Sequence, residues 1–84
     1  MMAVKNYVYI VRCRDGSFYT GWTTDIEHRL AMHDSGKGAK YTRGRGPVEL
    51  VHLEEFDTKN DALSRESAIK KMSREKKLEL IGGK

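Results

Sequence analysis

Tyr9, Tyr19, Arg29 and Glu66 are the residues whose types and places in this sequence could do chemistry together. Tyr19 follows Tyr9 by ten residues, Arg29 follows Tyr19 by ten, and Glu66 answers them from far down the chain. Glu66 has Leu63 and Ile69 three residues away on either side and Ala62 four before it, which places a carboxylate in the apolar stripe of a helix. The other face of that helix carries Lys59, Ser67, Lys70 and Lys71. A carboxylate so placed needs a cation, a metal or several hydrogen-bond donors. It is either a metal ligand or acid–base group, or the plain partner of an arginine at the core edge. Arg29 raises the same question with the opposite sign: a guanidinium clamping a phosphate, or a side chain snorkelling from the core edge. His33, one turn beyond Arg29, is a proton-transfer group or an ordinary half-buried helix histidine. Taken singly, Tyr9 and Tyr19 are ordinary strand tyrosines. Sharing a face near Arg29 and Glu66, they become candidates for proton abstraction, provided cations lower a phenol pKa that is ordinarily near 10.

The elements that must position these groups follow from the pattern. Residues 5–13 predict a strand rich in Tyr, Val and Ile, apolar on both faces from Tyr7 to Val11 and therefore central or well covered. Arg14-Asp15-Gly16 is a hairpin turn leading into a second strand at 17–23. Loop length decides the chemistry. A two-residue loop puts Tyr9 opposite Trp22 and the two phenols on opposite faces, because side chains alternate along a strand. A three-residue loop, with Gly16 as the left-handed residue of a bulge, puts Tyr9 opposite Gly21 and Val11 opposite Tyr19. Both phenols then share a face, and Gly21 leaves room beside the Tyr9 ring. The three-residue loop is the expectation.

Thr24 or Asp25 caps a helix at about 25–34, with Ile26, Leu30 and His33 at helical spacing. Residues 36–47 form a glycine-rich basic loop that is not a Walker loop, because no Gly-Lys-Ser/Thr closes it and no helix follows. Val48 to Phe56 predicts a third strand. Asp57 or Thr58 caps a helix at about 59–72, and Ser73 caps a last one at 74–81. The chain has no internal repeat and no linker.

At 84 residues the chain bounds itself to one domain, residues 1–84, with a small core. Apolar residues make up 38% and charged residues 33%, which is rich in charge without being a disordered composition. A net charge of +4 on so small a domain points to a polyanionic partner, nucleic acid first. Cys13 is the only cysteine, so an internal disulfide and a cysteine-based zinc site are excluded and a reducing compartment fits. No apolar run approaches the roughly 18 residues of a membrane span, and Met1 to Asn6 carries no signal-peptide apolar core. The expected location is cytoplasmic, with no membrane partner.

The runs Tyr7-Val8-Tyr9 and Tyr19-Thr20-Gly21, with Arg29 and Glu66, resemble the GIY-YIG nuclease domain. Closer still is the resemblance to the small stand-alone members of that superfamily. Their Tyr-Val-Tyr run, their Tyr-x-Gly-x-Thr-x-Asp run and their Gly-Lys-Gly-Ala-Lys-Tyr-Thr-Arg loop are matched by Tyr7–Tyr9, Tyr19–Asp25 and Gly36–Arg43, over nearly the whole chain. The resemblance implies an α/β fold, a three-stranded antiparallel sheet flanked by helices. It implies one divalent ion, Mg2+ or Mn2+, held mainly by Glu66 with waters completing the shell. It further implies that Arg29 binds the scissile phosphate, that Tyr19 activates the attacking water, that Tyr9 supports Tyr19 or orients that water, and that His33 helps proton transfer. The first motif departs from the family name, being Tyr-Val-Tyr, and Trp22 stands where several active relatives place a lysine or another polar residue.

The partner expected is nucleic acid, DNA before RNA. Active relatives commonly join this module to a DNA-binding domain, so targeting here falls to the module itself or to a protein partner. Lys37, Lys40, Arg43 and Arg45 can contact phosphates and Tyr41 can stack on an unpaired base; the bland alternative is a solvated loop. Lys70, Lys71, Arg74, Lys76 and Lys77 form a denser set, either a solvated helical face or a second phosphate-contacting surface. The function expected is a metal-dependent endonuclease. The alternatives are a non-catalytic nucleic-acid-binding module on the same scaffold and, behind it, a small interaction protein whose tyrosines and Glu66 satisfy one another.

Overall fold

A computed structural model describes residues 4–34 and 48–82, apart from the side chains of His33 and Asp34. The chain runs β1 (Asn6–Arg12), β2 (Phe18–Thr23), α1 (Ile26–Asp34), β3 (Glu49–Phe56), α2 (Lys59–Lys70) and α3 (Arg74–Ile81). The strands form one antiparallel sheet in the order β2-β1-β3. The strand that is apolar on both faces thus takes the centre: Val8, Tyr9, Ile10 and Val11 are at most 1% exposed.

The β1–β2 hairpin closes through three residues. The Cys13 N–H donates to Ser17 O (2.8 Å), the Gly16 N–H donates to Cys13 O (2.9 Å), and Gly16 has φ +86°. Only glycine adopts that left-handed backbone without steric cost. The resulting register pairs Tyr9 with Gly21, Val11 with Tyr19 and Val8 with Trp22. Tyr9 and Tyr19 therefore share a face, as the three-residue loop requires.

On the opposite face, α2 packs across all three strands. Val8, Ile10, Ala62 and Ile69 form the core, joined by Phe18, Trp22, Val51, Phe56, Met72, Leu80 and Ile81. Leu63, expected in the apolar stripe, is instead 37% exposed. Beyond Ile10 the β1–β3 register shifts by one residue, so that Val11 pairs with Leu50. The extra residue of this bulge is Val51, which joins the core.

The caps resolve as Asp25, Thr58 and Ser73. Asp25 Oδ1 accepts from the His28 N–H (3.1 Å), Thr58 Oγ1 from the Asp61 N–H (3.2 Å) and Ser73 Oγ from the Lys76 N–H (3.2 Å). α2 ends at Lys70 rather than 72, because the Lys71 and Met72 N–H groups close on Ser67 O and Ile69 O and lead straight into the extended Ser73 cap.

Candidate active site

β1 and β2 bring the two phenols together. The rings of Tyr9 and Tyr19 lie 6.4 Å apart, tilted by 46°. Tyr9 crosses directly over Gly21. A Cβ on that glycine would stand 2.4 Å from the Tyr9 hydroxyl oxygen and 2.7 Å from the ring carbon bearing it, closer than atoms approach. The absence of a side chain at position 21 is what lets the phenol reach toward the β2 edge.

Two more groups converge there. Arg29 lies in the first turns of α1, which Asp25 caps, and is half-buried. Glu66 lies in α2, its side chain only 18% exposed. Both charges act on the Tyr9 phenol. Burial is the main cause that lifts the Tyr9 pKa above its ordinary value of 10; the Tyr19 phenol and the Glu66 carboxylate push the same way, and Arg29 pushes back. Burial wins over the cation, so Tyr9 is a neutral hydroxyl at physiological pH, fit to donate a hydrogen bond rather than to take a proton. Four elements thus meet around one buried phenol.

The arginine next to Glu66 in sequence, Arg65, is engaged on β3. Arg65 donates through Nε (2.8 Å) and its terminal nitrogen (3.0 Å) to the two oxygens of Glu54, and His52 Nε2 lies 2.7 Å from the same carboxylate. This His52–Glu54–Arg65 cluster joins β3 to α2. A hint of it exists in the sequence: His52 and Glu54 are two apart on a strand and therefore share a face. The cation beside Glu66 is Lys70, at 3.4 Å. It belongs to the turn above Glu66 and not to the far face of the helix, because residues four apart are neighbours on a helix surface.

Trp22 stays out of the site. It pairs with Val8, donates its indole N–H to Asn6 Oδ1 (3.1 Å) and packs against the core. Alternation along β2 aims it away from the face of Tyr19. His33 falls near the end of α1, its side chain outside the described residues. Lys37, Lys40, Tyr41, Arg43 and Arg45 also lie outside them.

Among the described residues no three His, Cys, Asp or Glu side chains gather as a metal cage. One half-buried carboxylate suits magnesium, which keeps most of its waters and takes one or two carboxylates, far better than it suits zinc. Glu66 fits such an ion.

Residues 5–79 match the GIY-YIG catalytic domain. The chain belongs to the GIY-YIG family. Among its relatives are UPF0213 proteins, small members of that family. The UPF0213 protein of Clostridium perfringens is 58% identical over 94% of this chain and 85% of its own length. That of Haloquadratum walsbyi is 63% identical over 89% of this chain and 84% of its own length. The solution structure of a UPF0213 protein from Bacillus halodurans superposes with a TM-score of 0.62 at 52% identity, covering 95% of this chain and 85% of that one. GIY-YIG domains are typically endonucleases that use divalent metal ions, and the family implies binding to nucleic acid. No helix among the described residues is long and apolar enough to cross a membrane.

Proposed function

We propose that this chain is a metal-dependent endonuclease that hydrolyses phosphodiester bonds in nucleic acid, DNA before RNA. The observation that carries the reading is the meeting of Tyr9, Tyr19, Arg29 and Glu66 around a phenol that burial keeps neutral. Glu66 would hold a magnesium or manganese ion, which would supply Lewis-acid polarisation of the phosphoryl oxygen and charge for the leaving oxygen. Arg29 binds the scissile phosphate through its planar fork and stabilises the charge of the pentavalent state. Tyr19 activates the attacking water, its oxygen accepting the water's proton as its own hydroxyl proton is released towards His33. Tyr9 donates a hydrogen bond that orients that water. His33, one helical turn beyond Arg29, passes the proton on. Lys37, Lys40, Arg43 and Arg45 hold flanking phosphates and Tyr41 stacks on a base.

The test is a panel of branched, single-stranded and duplex substrates with magnesium or manganese, run beside Glu66→Ala and Arg29→Ala. Each substitution is expected to lower cleavage about 10²–10³-fold, the usual cost of removing one group that stabilises transition-state charge, with the circular-dichroism spectrum unchanged. Cleavage that survives Glu66→Ala comes from a contaminating nuclease and overturns the mechanism. Salt-sensitive binding by the wild type without cleavage assigns the chain to the non-catalytic binding class.

A further inference from the structure

Two ion pairs on α2 are built differently. Arg65 grips Glu54 with two hydrogen bonds, 2.8 Å and 3.0 Å long, from a planar fork. Such a pair fixes geometry. Lys70 meets Glu66 at a single point, Nζ to Oε2, at 3.4 Å. That is longer than the roughly 2.7–2.9 Å of a charge-assisted hydrogen bond. The ammonium is a point charge on a flexible four-carbon stem. The lysine side chain is 53% exposed, against 18% for that of Glu66. Lys70 can therefore let go of Glu66 and swing out without disturbing what is packed beneath it.

A Glu followed four residues later by a Lys is common on helix surfaces and steadies a helix slightly. Lys70 also stands in the last turn of α2, where the helix dipole favours positive charge. That benefit stays whether or not Lys70 touches Glu66. What separates this pair from an ordinary surface pair is its carboxylate. Glu66 is mostly removed from water, and its charge and that of Arg29 both act on the Tyr9 phenol. It is also the carboxylate that suits a magnesium ion. An ion held by Glu66 would share one carboxylate with the ammonium already against it, and like charges so close repel. Glu66 takes the ion well only when Lys70 leaves. In the endonuclease reading that ion touches a phosphoryl oxygen, which brings a phosphate within the sweep of a side chain that already reaches Glu66.

We propose that Lys70 is a displaceable counter-ion of Glu66: it covers the carboxylate before an ion binds, yields it to the divalent ion, and passes to a phosphate oxygen of the bound strand. Metal and nucleic acid then bind cooperatively, each favouring the other by the same factor. This rests on the endonuclease reading and adds a residue that couples its metal to its substrate.

The test reads Mn2+ binding by electron paramagnetic resonance, at low salt and without nucleic acid. Lys70→Gln should bind Mn2+ about fivefold more tightly than wild type, the order that one unit charge about 4 Å away is worth in water. Lys70→Arg keeps the charge and should bind as wild type does. Lys71→Gln removes a neighbouring exposed charge that lies off the row of Glu66, and should also match wild type. Equal affinities in wild type and Lys70→Gln, with the ion lost in Glu66→Gln, overturn the counter-ion and leave the endonuclease reading standing. Binding that survives Glu66→Gln, or none in wild type and Lys70→Gln alike, brings down both. A second measurement reads the transfer to phosphate. Oligonucleotide affinity is followed by fluorescence anisotropy in EDTA and in saturating Mn2+, with Arg29→Ala added throughout to spare the strand from cleavage. Mn2+ should raise the affinity more with Lys70 present than with Lys70→Gln. An equal rise in both overturns the transfer.

Discussion

The smallest residue in the site has the most exacting place. Gly21 lies under the Tyr9 ring so closely that a methyl group there would overlap the hydroxyl and its ring carbon. Tyr9 is 1% exposed and hemmed in by the core of the sheet, so it has little room to give way. Gly21→Ala should destabilise the protein by about 1–3 kcal/mol, the usual cost of overpacking a well-filled interior. It should also move the Tyr9 phenol away from Glu66 and Arg29, so cleavage should fall even at temperatures where the fold is intact. Chemical denaturation and a cleavage assay on the same sample check both; unchanged activity would mean the phenol's position is immaterial. The spacing of Tyr9 and Gly21 was legible in the sequence through the hairpin register. The nearness of Lys70 to Glu66 was misjudged there, because a charge at the boundary of two helix faces can lean either way until packing is known.

At the scale of elements, the His52–Glu54–Arg65 cluster ties β3 to α2. The two hydrogen bonds from Arg65 are the main cause that holds the Glu54 carboxyl below its ordinary value of 4.5; burial opposes them and His52 assists. A carboxylate whose folded pKa is depressed contributes stability that is complete above its unfolded pKa and is lost as pH falls through the folded value. The clamp should therefore be at full strength at neutral pH and weaken below about pH 4.5. Arg65→Ala should cost about 1–2 kcal/mol at neutral pH and flatten the acid limb of stability against pH. Thermal melts of both proteins from neutral to acid pH test this; parallel curves would show that the pair contributes nothing. No pattern in the sequence links Glu54 to Arg65, because their meeting depends on how α2 crosses β3.

For the whole molecule, one small core carries everything. Ile69 is fully buried and touches the cluster that β1 and α2 share. Ile69→Ala should cost about 2–4 kcal/mol, a large share of the 5–15 kcal/mol typical of a domain. Urea unfolding followed by far-ultraviolet circular dichroism and by Trp22 fluorescence should show one shared transition at a lower midpoint. Separate transitions would mean that the sheet and α2 do not fold as a unit.

The sequence by itself determined the elements, the central place of β1 and the shared face of Tyr9 and Tyr19. Those depend on local matters: side-chain alternation, the left-handed glycine at 16, and caps that the sequence narrows to Thr24 or Asp25, Asp57 or Thr58, and Ser73. The family resemblance and its place in a helix set Glu66 with the tyrosines as an expectation, and its charge does act on the Tyr9 phenol. Only the tertiary structure decided that Tyr9 is held neutral, that Arg65 serves Glu54 and leaves Glu66 to Lys70, and that Trp22 turns into the core. Each of these depends on how far a group is removed from water and which charges from other elements face it. Burial and long-range contact are properties of the packed molecule, and a chain carries them only once α2 has settled across the sheet.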